Sequence, residues 1–173
     1  MTNTRSILLA YTTRYGSTQE VAEVIAAELQ QAGLKVELQP MREVATLDNF
    51  AAIVLGAAIY NAKWHPDAYQ FLMQHQGALG QRTVAIFALG PLSASRAAMR
   101  NSRRQLDMEL AKYPWLKPVA LEIFVGKMDP AKLSFLDRLG SRASDNRDWN
   151  AIRSWSQSLA AQLRQTLLLR TAV

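Results

Sequence analysis

The sequence predicts an α/β fold: a doubly wound, five-stranded parallel sheet in the order 2-1-3-4-5, with an insertion before the last helix. Three observations predict it. Short apolar runs alternate with stretches of helical period. The run at 51–57 is apolar at every position, as in a parallel strand buried on both faces. No second set of core-forming segments follows, so a single domain is expected over 1–173. Right-handed crossovers leave few layouts for such a chain, and 2-1-3-4-5 is the common one for five strands.

The elements follow in order. "SILLAY" (6–11) reads as strand one. A helix runs from Ser17 to Ala32, where Val21, Ile25, Leu29 and Ala32 recur at three-to-four spacing and Gly33 stops it. "KVELQP" (35–40) alternates and ends at a proline, giving strand two, and "AAIVLGA" (51–57) is strand three. Pro66 opens a helix through His75 with Ala68, Phe71 and Leu72 on one face. "RTVAIFAL" (82–89) is strand four, stopped by Gly90-Pro91. A helix from Ser93 to Lys112 leads to "PVALEIFVG" (118–126), strand five. The last helix, Trp149 to Arg170, carries Ile152, Trp155, Leu159 and Leu163 inward. Residues 127–148 do not fit a bare repeat. "DPAKLSFLDRLG" within them reads as a short helix and "SRASDNRD" as a polar loop, together an insertion.

In this layout ligands bind beyond the carboxyl ends of strands one and three. At the first of those ends stands "TTRYGST" (12–18), with four hydroxyl residues, Thr12, Thr13, Ser17 and Thr18, around Gly16. A helix N-terminus offers backbone donors and a favourable dipole to an anion. Hydroxyls add neutral hydrogen bonds, and glycine admits close approach. A dinucleotide GxGxxG and a GxxxxGK[ST] loop are both absent. A phosphatase loop would need cysteine, and the chain has none. A receiver domain would need acidic residues where Tyr11-Thr12-Thr13 stands. The other reading of the hydroxyls is a helix cap, which Ser and Thr commonly form.

The loop resembles the flavodoxin phosphate signature: Tyr11, then Thr13, Gly16 and Thr18 at that family's spacing. The resemblance implies a flavodoxin-like fold with FMN as cofactor. It places Thr13, Arg14, Tyr15, Gly16, Ser17 and Thr18 around the phosphate. It departs from the family at Ala10, which is small, and at Arg14, which adds a cation. "GAAIYNAKWHPDAYQFL" (56–72) and "RDWNAI" (147–152) resemble the branch that includes the menaquinone-dependent protoporphyrinogen dehydrogenases. The family would seat the flavin ring between the loops after strands three and four. Ala58, Ile59 and Tyr60 would line one side, Leu89, Gly90 and Leu92 the other. Tyr60 and Trp64 are candidates to lie on a ring face, the alternative being that they pack against the helix at Pro66.

Three functions follow from the resemblance. One is an FMN oxidoreductase that oxidises a flat, anionic substrate such as a porphyrinogen and passes electrons to a quinone. Another is a carrier that docks on redox proteins. The third is a cofactor-free binding module. The net charge of +6 favours anionic partners and sits poorly with a carrier of the usual acidic kind. No nucleic-acid motif accompanies it. With two histidines and no cysteine, no metal site is expected. The longest apolar run, 51–60, is half of a bilayer span. A cytoplasmic protein is expected, with at most peripheral contact at the inner membrane face. Arg96, Arg100, Arg103 and Arg104 read as a solvated helix face, His65 as a helix start, and "TLLLRTAV" (166–173) as a helix end docked on the core.

Overall fold

The computed structural model describes residues 6–128, 131 and 144–171. The strands β1 (Ser6–Tyr11), β2 (Val36–Pro40), β3 (Phe50–Ala58), β4 (Thr83–Leu89) and β5 (Ala120–Phe124) form one parallel sheet in the order β2-β1-β3-β4-β5. Side chains of the inner strands alternate between two apolar layers. Ile7, Leu9, Val54 and Phe87 face the layer closed by helix α1 (Ser17–Gln31) and the last helix. Leu8, Ile53, Leu55 and Ile86 face the layer closed by α2 (Pro66–Gln74), α3 (Gln76–Leu79) and α4 (Arg96–Leu110). Burial on both faces explains why those strands lack polar alternation. Each fully buried Leu, Ile or Phe contributes about 1.5–3 kcal/mol. The last helix, α5 (Trp149–Thr171), packs Ile152, Leu159 and Leu163 onto this sheet beside α1.

Local chemistry sets the element ends. His65 caps α2, its ring Nδ1 accepting from the Asp67 N–H at 3.2 Å, with Pro66 in the first turn. His65 is therefore the helix-start residue expected of it. Strand β5 is shorter than the predicted 118–126. Pro118 has no N–H for a ladder. At the other end the Gly126 N–H turns away to donate to the Pro91 carbonyl at 2.8 Å. Helix α4 begins three residues later than predicted, because the Ser95 hydroxyl is the cap that accepts from Ala98 N–H. Residues 91–94 are thereby left to line two adjoining depressions that share Leu92. A 3-10 turn at Met41–Glu43 and the short α3 carry no periodicity long enough to read in advance.

After β5 the chain forms β6 (Lys127–Met128), which pairs antiparallel with β7 (Ser144–Asp145). This ribbon closes the base of the insertion. The predicted helix in "DPAKLSFLDRLG" lies outside the described residues, apart from Ala131. Arg96, Arg100, Arg103 and Arg104 are all exposed on α4, Arg103 paired with Asp107 at 2.9 Å. Near the end of α5, Leu167 packs on the core while Leu168 is exposed. Among the described residues no helix is long and apolar enough to cross a membrane.

Candidate functional site

The β1–α1 loop is built from its own polar groups. Thr12 N–H donates to the Gly56 carbonyl at 2.9 Å, which ties the loop to the end of β3. The Thr13 hydroxyl accepts from Gly16 N–H at 2.8 Å and closes a tight turn. Gly16 then starts α1 at φ 90°, the left-handed region that favours glycine. No side chain caps α1. The first-turn N–H groups of a helix have no intrahelical partner, and here the loop hydroxyls do not fill that role. The Oγ1 atoms of Thr12 and Thr18 are buried and have no hydrogen-bond partner. Ser17 is also buried. A buried hydroxyl without a partner costs about 1–3 kcal/mol. Such groups persist where something else recruits them.

The loops after β3 and β4 face this corner. Ile59 N–H donates to the Leu89 carbonyl at 2.9 Å and Gly90 N–H to the Phe124 carbonyl at 2.9 Å, so the strand ends are pinned together. Tyr60 and Lys63 exchange two backbone hydrogen bonds across Asn61 and Ala62, whose φ angles are 49° and 62°. That is a type I′ turn, and Ala62 pays the left-handed penalty of about 1–2 kcal/mol. The turn projects Tyr60 outward, where its ring meets Tyr15 edge-on at 6.2 Å. Burial, with Tyr15 adding to it, pushes the Tyr60 hydroxyl above its ordinary value, so it stays neutral.

Between these loops lies a cleft of about 230 Å³. Tyr15, Ser17, Ala58, Ile59, Tyr60, Leu89, Gly90 and Leu92 line it, each of them a residue singled out from the sequence. Arg14 does not line it. Its guanidinium stands 5.2 Å over the Tyr15 ring, in an exposed cation–π contact. Trp64 is also elsewhere: it is buried in the α2 layer, stacked on Tyr113 at 6.5 Å. Of the two aromatic candidates for the ring face, Tyr60 lines the cleft and Trp64 does not.

The ion cluster beside the cleft was missed by sequence reasoning. Arg147 donates to both oxygens of Asp145, at 2.8 and 2.7 Å, and lies 2.7 Å from Glu20 in the first turn of α1. Its guanidinium also stands over Trp149 at 4.5 Å. Lys127, on the facing strand of the ribbon, lies 3.6 Å from Glu20. Asn146 donates to the Leu92 carbonyl at 2.8 Å, so the same segment holds the cleft wall. Arg147 and Trp149 lie in the stretch "RDWNAI" (147–152), but nothing in the local pattern joins them to Glu20 or Lys127, which are far away in sequence.

The cluster sets an expectation in acid. Hydrogen bonding to Arg147 holds the Asp145 carboxyl below its ordinary 3.8, against the opposing effect of burial. For Glu20, burial alone would raise the carboxyl, but Arg147 and Lys127 outweigh it and hold it below the ordinary 4.5. A depressed carboxyl stabilises the fold fully above its ordinary value, and the benefit is lost as pH falls through the lowered one. Both groups are partly exposed, so the effect is screened. Denaturation at stepped pH should show Glu20→Gln less stable than the parent at neutrality. The gap should close below pH 4.5. A gap that persists unchanged into acid would contradict the pairing.

The match to known proteins agrees with this geometry. Against the Protoporphyrinogen IX dehydrogenase [quinone] of Escherichia coli strain K12 the chain is 25% identical over 84 residues, 47% of this chain and 46% of that relative. The aligned part thus spans about half of the relative's length. A flavodoxin from the domain Archaea superposes with a TM-score of 0.59 at 14% identity, covering 92% of this chain and 99% of that one. Oxidised flavodoxin 2 from Bacillus cereus gives 0.59 at 18%, covering 93% and 99%. At these identities the superpositions speak for the fold. Residues 8–143 match the flavodoxin domain family, and the chain belongs to it.

Proposed function

We propose that the chain holds one FMN noncovalently in this cleft and acts as an oxidoreductase, taking electrons from a flat organic substrate and passing them to a quinone. One observation carries the reading. The first turn of α1 has no side-chain cap and is surrounded by buried hydroxyls without partners, beside a cleft walled by the β3 and β4 loops. That donor set suits a phosphate monoester. Ser17, Thr18 and the first-turn amides would hold the phosphate, with Thr13 bracing the turn at Gly16. Tyr60 and Leu92 would cover the ring, and the backbone at Ala58 and Ile59 would meet its edge. When bound, the flavin supplies the electron chemistry; the protein supplies position and electrostatics.

A second cavity favours an enzyme over a carrier. It shares Leu92 with the first, measures about 770 Å³, and is lined by Ser93, Asn146, Asp148 and Trp149 among others. It is an open depression rather than an enclosed cavity, and a flat substrate lying on it would sit next to the flavin loop. Part of its wall, Asn146 to Asp148, is the last stretch of the insertion. A porphyrinogen is the substrate suggested by the Escherichia coli relative, and a quinone acceptor would bring the protein from the cytoplasm to the inner membrane face. An electron carrier docking on redox proteins is the competing reading, and the net charge of +6 weighs against it.

The test is anaerobic. The FMN-loaded chain is reduced and mixed with a soluble naphthoquinone, and reoxidation is followed by absorbance. Reoxidation faster than that of free reduced FMN at equal concentration supports the oxidoreductase. A rate no greater than that of free flavin ends it and leaves the carrier.

A further inference from the structure

Arg14 is the cation that the sequence offers to the phosphate loop, yet its guanidinium rests outside on Tyr15. The charged residue that does line the cleft, among the described residues, is Lys127, from the other end of the chain's fold. Its place along the cleft is fixed by its neighbours. The cleft includes Ser17, the first residue of α1. Glu20, which lies 3.6 Å from the ammonium, is three residues further along, on the same helical face. Lys127 therefore reaches the amino-terminal turn of α1, the end of the cleft that suits an anion, rather than the loops around Tyr60 and Leu92.

The local charge balance points the same way. Lys127 and Arg147 face Glu20 and Asp145, two cations against two carboxylates. Arg147 is the closely committed cation: it holds Asp145 with two hydrogen bonds and pairs with Glu20 at 2.7 Å, although its buried Nη1 makes no hydrogen bond. By occupying Glu20, Arg147 also reduces the repulsion that this carboxylate would exert on an anion at the helix start. Lys127 is the loosely committed member, at 3.6 Å from Glu20, against about 2.8 Å for a strong charge-assisted bond. An ammonium has three donors, and a long contact to one oxygen leaves capacity for another acceptor.

Resting on the reading that the cleft takes FMN, we propose that Lys127 is the cation that binds the flavin phosphate and sets the preference for FMN over riboflavin. The β6–β7 ribbon and the Arg147 cluster are then positioning elements, because they deliver Lys127 to α1. Arg14 has no part in that preference.

Fluorescence titration of FMN and of riboflavin with the full chain tests this. Lys127→Met should weaken FMN about tenfold, which is about 1.4 kcal/mol, and leave riboflavin affinity unchanged. The salt dependence of FMN binding should shrink with it. Lys127→Arg should keep most of the preference, and Arg14→Met should keep all of it. Unchanged riboflavin affinity also reports that Lys127→Met is folded. The proposal is overturned if Lys127→Met weakens both flavins alike, or neither, or if Arg14→Met abolishes the preference instead. If the parent chain binds neither flavin, the functional reading falls and takes this inference with it; a parent that prefers FMN beside a Lys127→Met variant that prefers it equally removes only the assignment of Lys127.

Discussion

Replacing Gly56 by alanine should destabilise the protein by about 3 kcal/mol, near the upper end for overpacking a core. Gly56 pairs in register with Phe87 on the neighbouring strand. A Cβ there would lie 2.2 Å from Phe87 Cζ and 2.5 Å from Cε1, inside any real contact distance. The ring cannot move aside cheaply. Phe87 is fully buried, with the rings of Phe124 at 6.4 Å and Trp155 at 6.3 Å around it. Nor can the strand shift, since Gly56 also accepts the hydrogen bond that anchors the β1–α1 loop at Thr12. Urea denaturation of Gly56→Ala, Phe87→Leu and the double variant checks this. The two substitutions should couple by more than about 1 kcal/mol, because the shorter side chain vacates the space that the new methyl needs. Additive losses would mean that the contact is not the cause.

Thr18→Val should move two properties in opposite directions. Thr18 is wholly buried, and its hydroxyl has no partner. Exchanging it for a methyl removes a desolvated polar group from the ligand-free chain, which should gain about 1 kcal/mol of stability. If the hydroxyl serves the phosphate of FMN, the same change should weaken FMN binding about tenfold, by the loss of one bond to a charged acceptor. A residue that only shaped the helix start would not separate the two. Measured together, a thermal melt without flavin and an FMN titration distinguish these roles. Lost stability with unchanged FMN affinity would return Thr18 to the core.

The fold was legible because its strands must be covered on both sides. That demand writes unbroken apolar runs at 51–57 and 84–89, and both emerge within the central strands β3 and β4. The β1–α1 loop was legible as a polar junction around Gly16, and the structure adds that no side chain caps the helix it opens. What failed to show depends on contacts between distant segments. Trp64 reads equally as a ring-face aromatic beside Tyr60 or as a residue packed against the helix at Pro66; its burial in the α2 layer, stacked on Tyr113 beyond α4, decides for packing. The start of α4 was placed at the first serine of "SASR", whereas the cap is the second, Ser95. Nothing in "GKMD" marks Lys127 as a cleft residue. Its position follows from a ribbon whose second strand begins at Ser144 and from an arginine that grips α1.

The central claim is that this corner is a flavin phosphate site, and the absorption spectrum tests it most directly. The purified chain is dialysed, FMN is added in stoichiometric amount, unbound flavin is removed on a desalting column, and the spectrum is recorded. The prediction is a retained flavin band near 450 nm with about one FMN per chain, and a far smaller retention of riboflavin, which lacks the phosphate. A colourless protein fraction, or equal retention of the two flavins, would contradict the account.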